Sequence, residues 1–465
     1  MPELYEDIKT KAQGLHNYSV KLLSELIAAG SIDGGTSGKE GARGDIIERE
    51  LKSITELVCK DRFGNICAAI GEGKNPQTII WLIGHFDTVA PGEWPEAYTP
   101  VLDGNKLYGR GSSDQLAGVV SSIAAMKILK EHEAKLTEKG IRFVITANPH
   151  EEDCEGESIK YLLKNIANSS REYPDWMQKL PNIMVTTEPT STRDGIPRPY
   201  FGHRGRYLYQ IRMQGETGHG SIPVKVPVAE VFSRIVHNIF QKVTGPNSLK
   251  FGADTYAFTT GKITSPSGNA HTEVAAWDID LRIAPTSDPK YILEDMSKVA
   301  DEVTKAVASE KNVTLEEMPK FEFLVVGPEY ETYNGYKFVG VQELPGPWLS
   351  PSDPLHKRVM DVYHEMFSTP PYDKRDVGEI NESDIKENEG DYTVRDYYNF
   401  STDLTGLAQM IRHAQKEGNV APDITYFGLG SGIEEEAHRK DEYCPVNSLD
   451  HAAAYYVAFV HSFTK

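Results

Sequence analysis

Short apolar runs separated by long helical segments are the feature that most restricts which folds this chain can adopt. The first part of the chain contains the runs NICAAI, TIIWLIGHF, IRFVITAN and NIMVTT, with helical segments such as LAGVVSSIAAMKILKEH between them. Continuous apolar runs are typical of strands in a parallel sheet, because the connecting helices cover both faces of that sheet. The pattern therefore predicts an α/β fold with a mostly parallel sheet flanked by helices.

A second, smaller fold is predicted from about residue 204. The sequence there indicates a strand (RYLYQIRMQGE), a helix near 228–243, two strands (TYAFTTGKI and EVAAWDIDLRI), a helix over 290–311 and a last short strand, VTLEEM. This βαββαβ order is that of a ferredoxin-like α+β module. Since 465 residues exceed one ordinary core, we predict a catalytic domain in two halves, 1–203 and 347–465, with the module inserted at 204–346.

The charge of the chain limits its partners. Lys and Arg number 49 against 68 Asp and Glu, a net charge of −19 that disfavours nucleic acid and anionic membranes. No apolar targeting segment opens the sequence, no run of eighteen apolar residues occurs, and the four cysteines lack C-x-x-C spacing, so we expect a cytoplasmic enzyme with free thiols. The charged segment 373–396 is predicted to be an exposed loop.

Candidate metal ligands follow the predicted strands. His85 and Asp87 end the strand IIWLIGHFD, where positions i and i+2 share a face, so the carboxylate can orient the imidazole. Asp114 lies in GRGSSDQLAG, a tight turn before an apolar helix, where one carboxylate could bridge two cations. Taken singly, the first pattern also fits a surface His–Asp pair and the second a helix N-cap.

Two further strands end in carboxylates. Glu151 and Glu152 follow IRFVITAN, and because adjacent strand residues face opposite ways, one can bind metal while the other accepts a proton. Glu188 follows NIMVTT, and His438 follows ITYFGLGSG. The carboxyl ends of parallel strands meet at one edge of a sheet. Two histidines and three of these carboxylates, acting as ligands at such an edge, favour zinc, with cobalt or manganese as substitutes.

The motifs GHFDTV, YGRGSSDQLAG, EEDCEGES, TEPT, GHGSIP and GLGSGIEEEAH occur in this order over nearly the whole chain. Together they resemble the di-zinc amidohydrolase and peptidase family of aminoacylase, acetylornithine deacetylase, succinyl-diaminopimelate desuccinylase and glutamate carboxypeptidase. The resemblance implies a zinc-exopeptidase-type sheet and two Zn²⁺ ions per subunit, bridged by Asp114. It assigns the remaining roles as follows: His85 and Glu188 to one ion, Glu152 and His438 to the other, and Glu151 as general base. It also implies a cis bond between Asp114 and Gln115.

The same resemblance makes the inserted module a lid and dimerisation domain. His219 would stabilise the oxyanion, often across a homodimer, and a satisfied core histidine is the alternative interpretation. Asn269 and Arg282 would contact the substrate, with the Arg282 fork on its carboxylate. Gly430, in the glycine-rich stretch 428–432, would approach the substrate with its backbone N–H, unless this stretch is a surface turn.

The resemblance implies hydrolysis of an amide bond beside a free carboxylate, with Glu151 taking a proton from a metal-activated water. In the family, the ligand at the position of Glu188 tends to be Glu among deacetylases and Asp among dipeptidases. The sequence therefore favours N-acyl amino acids as substrates. A metallo-dipeptidase or carboxypeptidase is the second hypothesis, and a catalytically silent protein that binds an amino-acid conjugate is the third.

Overall fold

The structure is a computed structural model that describes residues 2–71, 76–325, 327–340, 343–368, 370–372 and 394–464. The chain divides into two compact units. Unit 1 comprises Met1–His203, Glu329–Gly340 and Pro347–Lys465, and unit 2 comprises Arg204–Pro328 and Val341–Gly346. Unit 2 thus differs from the predicted module 204–346 by the segment 329–340, which packs within unit 1. Most of the predicted charged loop 373–396 lies outside the described residues.

The helices, in chain order, are α1 (Pro2–Gly14), α2 (His16–Asp33), α3 (Gly41–Lys52), α4 (Leu116–Lys130), α5 (Glu133–Glu138), α6 (Glu157–Ala167), α7 (Val228–Lys242), α8 (Lys290–Lys311), α9 (Pro354–Met366), α10 (Leu404–Lys416) and α11 (Asn447–His461). The strands are β1 (Val58–Lys60), β2 (Ile66–Ile70), β3 (Thr78–His85), β4 (Val101–Asp103), β5 (Lys106–Tyr108), β6 (Ile141–Asn148), β7 (Ile183–Thr186), β8 (Gly205–Gln214), β9 (Asn247–Ser248), β10 (Gly252–Ala253), β11 (Thr255–Thr264), β12 (Val274–Ile283), β13 (Lys320–Val325), β14 (Glu329–Glu331), β15 (Lys337–Val339), β16 (Glu343–Leu344), β17 (Thr425–Gly428) and β18 (Tyr443–Pro445).

Unit 1 is built on a six-stranded sheet in the order β1-β2-β6-β3-β7-β17. Strands β6, β3, β7 and β17 run parallel to one another. At one edge, β2 pairs antiparallel with β6, and β1 pairs antiparallel with β2. This topology confirms the predicted mostly parallel sheet. Strands β6 and β7 are buried along their whole length, as their continuous apolar runs require. Helix α4 is apolar on nearly every side and is correspondingly buried between the sheet and its neighbouring helices.

Unit 2 has the predicted βαββαβ order, with the short strand pair β9 and β10 added between α7 and β11. Its sheet is antiparallel, in the order β11-β12-β8-β13, and the amphipathic helices α7 and α8 bury their apolar faces in a separate core. The prediction of a last strand at VTLEEM was wrong, because Leu315–Glu317 forms a 3-10 turn and the strand begins at Lys320. Thr314 and Glu317 form a capping box that favours this turn over an extended chain.

The topology of unit 1 gathers the candidate ligands. Strand β3 ends at His85, β6 and β7 end a few residues before Glu151 and Glu188, and β17 ends at Gly428, where the 428–432 stretch begins. Since these four strands are parallel, their carboxyl ends lie at the same edge of the sheet. Within the described ranges, no helix is long and apolar enough to cross a membrane, and the four cysteines are unpaired.

Candidate metal centre

Asp114 lies between two histidines. Its Oδ1 is 3.1 Å from Nε2 of His85, and its Oδ2 is 3.1 Å from Nε2 of His438. The carboxylate is buried in the turn before α4, and the Asp114–Gln115 peptide bond is cis, as predicted. A carboxylate with a different imidazole at each oxygen has a geometry that can bridge two cations.

Three glutamates complete this cluster. Glu152 Oε2 is 3.0 Å from His438 Nε2, and Oε2 of Glu151 and Oε1 of Glu188 each lie 3.8 Å from His85 Nε2. Two groups of three have all their donor atoms within 4.8 Å of one another: His85, Asp114 and Glu152, and His85, Glu151 and Glu188. Because Glu151 and Glu188 are equally distant from His85, the assignment of Glu188 as ligand and Glu151 as base stays a prediction.

The chemistry of the cluster fits bound cations. Among the described residues, neither oxygen of the buried Glu188 has a hydrogen-bond partner, and a buried carboxylate is costly unless it binds a proton or a cation. Burial and the charge of Asp114 raise the pKa of Glu188 well above its usual range. Burial lowers the pKa of His438, but the carboxylates of Asp114 and Glu152 outweigh burial and raise it to about 11. The site therefore favours positive charge at both ends.

Asp87 orients His85 and the Glu151–Glu152 loop together. Its two carboxylate oxygens accept hydrogen bonds from the backbone N–H groups of Glu151 and Glu152, each at 3.1 Å. The Ser37 hydroxyl donates to Asp87 at 2.7 Å, and His85 Nδ1 lies 3.0 Å from the Asp87 carbonyl oxygen and 3.5 Å from its carboxylate. Burial raises the pKa of Asp87, but the hydrogen bonds of His85 and Ser37 lower it more, to about 2.

A buried ion pair that the sequence analysis missed ties Asp114 to His438. Glu442 accepts hydrogen bonds from Arg110 Nη1 at 2.6 Å and from the N–H of Asp114 at 3.0 Å. Arg110 also donates to the carbonyl oxygens of Arg439 at 3.2 Å and His438 at 3.4 Å. Arg110 lies in the quoted motif YGRGSSDQLAG, and Glu442 lies four residues after the motif GLGSGIEEEAH. Their pairing spans 332 positions, so no local pattern reveals it.

The backbone N–H of Gly430 makes a hydrogen bond within the protein. Its N–H donates to the Thr190 hydroxyl at 3.0 Å, and the whole 428–432 stretch is buried. A Cβ at Gly430 would lie 2.0 Å from the Thr187 carbonyl oxygen and 2.4 Å from that of Glu188. The N–H that the sequence assigns to the substrate is thus occupied, and Gly430 instead allows close packing behind Glu188.

The predicted lid residues all lie in unit 2. His219 and Asn269 are close, because the N–H of Gly220 donates to the Asn269 carbonyl at 2.6 Å, and His219 Nδ1 lies 2.7 Å from the Ser221 hydroxyl. Both side chains are exposed, so His219 is not a core histidine. Arg282 directs its Nε to Asp280 Oδ1 at 2.9 Å.

Comparison with known proteins defines the family. The profile of peptidase family M20/M25/M40 matches residues 81–382. The chain is 26% identical over 424 residues to the uncharacterised protein YgeY of Escherichia coli K12, covering 89% of this chain and 87% of YgeY. It is 26% identical over 238 residues to the acetylornithine deacetylase of Aliivibrio fischeri, covering 48% of this chain and 55% of that enzyme.

Solved structures share the fold. Human carnosine dipeptidase 1 superposes with a TM-score of 0.63 at 12% identity, covering 99% of both chains. The YXEP protein of Bacillus subtilis, a dinuclear metal-binding peptidase of the M20 family, superposes with a TM-score of 0.59 at 13% identity, covering 97% of this chain and 99% of YXEP. The fold and the His–carboxylate cluster define a metal-dependent hydrolase. The family profile matches more than half of the residues of this chain, so the chain belongs to peptidase family M20/M25/M40.

Proposed function

We propose that this M20 hydrolase cleaves the amide bond of N-acyl amino acids, with two zinc ions per subunit held at the Asp114 cluster. The observation that carries the proposal is the position of Asp114 between His85 and His438, with a contact of 3.1 Å on each side. Cobalt or manganese would fit the same imidazole and carboxylate donors. Asp114 would bridge the ions, His85 and Glu188 would hold one, and Glu152 and His438 would hold the other.

The residues around the cluster account for the chemistry of amide hydrolysis. Divalent ions in this site would supply a Lewis acid for the scissile carbonyl and would make water more acidic. Burial raises the pKa of Glu151 well above its usual range, so this carboxylate is a stronger base than a solvated glutamate. The backbone N–H of Glu151 donates a hydrogen bond of 3.1 Å to the Asp87 carboxylate, which fixes the backbone at Glu151. Glu151 would take the proton of the attacking water and deliver it to the leaving amine.

Residues of unit 2 would act on the substrate rather than on the metals. His219 has an exposed ring and could donate a hydrogen bond to the developing oxyanion, and Asn269 lies beside it. Arg282 would exchange Asp280 for the substrate carboxylate, which it can bind in the same forked manner. We further propose a homodimer through unit 2, which sedimentation analysis of the purified protein would test.

Glu188 supports the choice of an acyl group over an aminoacyl group. Glutamate at this ligand position is the pattern of the deacetylases, and the similarity to an acetylornithine deacetylase points to the same substrate class. An acyl amino acid and a dipeptide present the same scissile amide, so the choice rests on this ligand and on that similarity.

The test is turnover by the zinc-loaded protein of N-acetyl, N-succinyl and N-formyl amino acids alongside dipeptides, with a chelator-treated control. Chelator-sensitive release of an acyl group from one or two amino acids is the expected result. Preferential cleavage of dipeptides would reassign the enzyme to the peptidases. Full zinc occupancy without turnover of any amide would instead indicate a binding protein.

A further inference from the structure

The hairpin of β14 and β15 lies in sequence between two strands of the unit 2 sheet, β13 and β16, but belongs to unit 1. Strand β13 ends at Val325, and β16, which begins at Glu343, pairs with β8 of the same sheet. Between them, Tyr330 pairs with Phe338 in the antiparallel hairpin, and residues 329–340 belong to unit 1. Ordering an added hairpin costs conformational entropy, which its contacts must offset.

The tip of the 329–340 hairpin is anchored beside β2. The Tyr333 hydroxyl donates to the Gly64 carbonyl oxygen at 2.9 Å, and Asn334 Nδ2 donates to the Arg62 carbonyl oxygen at 3.0 Å. The rings of Phe338 and the buried Phe63 are 4.7 Å apart. These contacts fix the hairpin to a loop that carries none of the candidate ligands.

The other side of the hairpin holds the loop after β6. His150 Nε2 is 3.0 Å from the Glu331 carbonyl oxygen, and because a carbonyl only accepts, Nε2 must carry the proton. The His150 ring packs edge-on against Tyr330 and Phe338, with centroids 5.6 and 5.4 Å away. The Tyr330 hydroxyl donates to the Asp153 carbonyl oxygen at 3.0 Å. The hairpin thus touches both sides of Glu151 and Glu152.

His150 has an unusual backbone conformation. Its φ is 63°, in the left-handed region that residues other than glycine rarely adopt, and it directly precedes Glu151. Such a conformation persists only where the surroundings hold it. Asp87 holds this loop from the interior through the N–H groups of Glu151 and Glu152, and the hairpin holds it through His150, which is 2% exposed.

We propose that the 329–340 hairpin is a positioning element for Glu151, acting through His150. The inference rests on the proposed function, in which Glu151 carries the proton. Without the His150 contact, the loop would sample other conformations, and a carboxylate displaced by about 1 Å loses on the order of a hundredfold in rate. Substrate binding should change little, because the contacts of His150 described above involve none of the metal-binding atoms.

The test compares three variants at saturating zinc. His150→Asn keeps a side chain that tolerates left-handed φ but removes the ring and its hydrogen bond. Tyr330→Phe removes the bond to Asp153. Tyr455→Phe is the matched control, since it removes one hydroxyl-to-carbonyl bond of unit 1, to Val359 at 2.9 Å, outside the hairpin. We expect kcat to fall roughly 10- to 100-fold in His150→Asn and severalfold in Tyr330→Phe at unchanged KM. Tyr455→Phe should keep kcat within about twofold of the parent.

Wild-type kcat in His150→Asn, or an equal loss in Tyr455→Phe, would overturn the proposal. Hydrogen exchange gives a second readout that needs no substrate. Amides of residues 149–156 should exchange faster in His150→Asn and Tyr330→Phe than in the parent and in Tyr455→Phe. If the parent protein hydrolyses no amide, the proposed function fails, but unchanged exchange in this segment is what would refute the role of the hairpin.

Discussion

Replacing Glu442 with Gln should destabilise unit 1 and weaken metal binding without altering a ligand. The Oε2 atom of Glu442 accepts from Arg110 at 2.6 Å and Gly111 N at 3.2 Å, and Oε1 accepts from Ser113 N at 2.9 Å and Asp114 N at 3.0 Å. Glutamine has the same shape, but whichever oxygen becomes NH₂ faces two donors, so two of the four bonds are lost. The buried Arg110 also loses its counter-charge. Together these effects should cost about 3–5 kcal/mol of unfolding free energy.

Guanidinium unfolding of the metal-free protein measures this loss without a contribution from bound metal. Glu310→Gln is the control, because Glu310 Oε2 also lies 2.6 Å from an arginine, Arg234, but both side chains are on the surface. Surface pairs contribute little, so this variant should unfold like the parent. Zinc affinity should fall about 10- to 100-fold in Glu442→Gln. A loss of stability below about 1 kcal/mol, as in a surface pair, would refute the reasoning.

Two further outcomes follow from the site. His438 is protonated at pH 7 in the metal-free site, since its pKa is raised to about 11. A metal must displace this proton, so zinc affinity measured by competition with a chelator should rise about tenfold per pH unit for each displaced proton from pH 6 to 8, and a flat profile would contradict it. Gly430→Ala places a Cβ 2.0 Å from the Thr187 carbonyl oxygen. Its unfolding free energy should drop by about 1–3 kcal/mol or more, whereas Gly14→Ala, with nothing within 4 Å of its Cβ, should not be destabilised.

The sheet and the cluster could be predicted because their signals are local. The apolar runs of β3, β6 and β7 mark strands buried on both faces, and each is followed within three residues or so by a histidine or carboxylate. Parallel pairing then brings His85, Glu151, Glu152 and Glu188 to one edge without knowledge of any long-range contact.

The remaining features depend on contacts between distant parts of the chain. Glu442 reads as one more charged residue in HRKDEY, and only its approach to Arg110 across 332 positions shows that it is buried. The 329–340 hairpin joins unit 1 through His150 and Phe63, neither of which is near it in sequence. Gly430 suggested a loop that binds a ligand through its backbone. The lack of a side chain at Gly430 equally allows the close packing against Thr187 that the structure shows.

Metal content and turnover of Glu151→Gln and Glu152→Gln, measured side by side, test the central claim most directly. If Glu151 is the base and Glu152 a ligand, Glu151→Gln should bind two zinc ions and lose about 10²- to 10⁴-fold in kcat. Glu152→Gln should bind one zinc ion tightly. Near-normal turnover in Glu151→Gln, or loss of a zinc ion from that variant rather than from Glu152→Gln, would contradict the assignment.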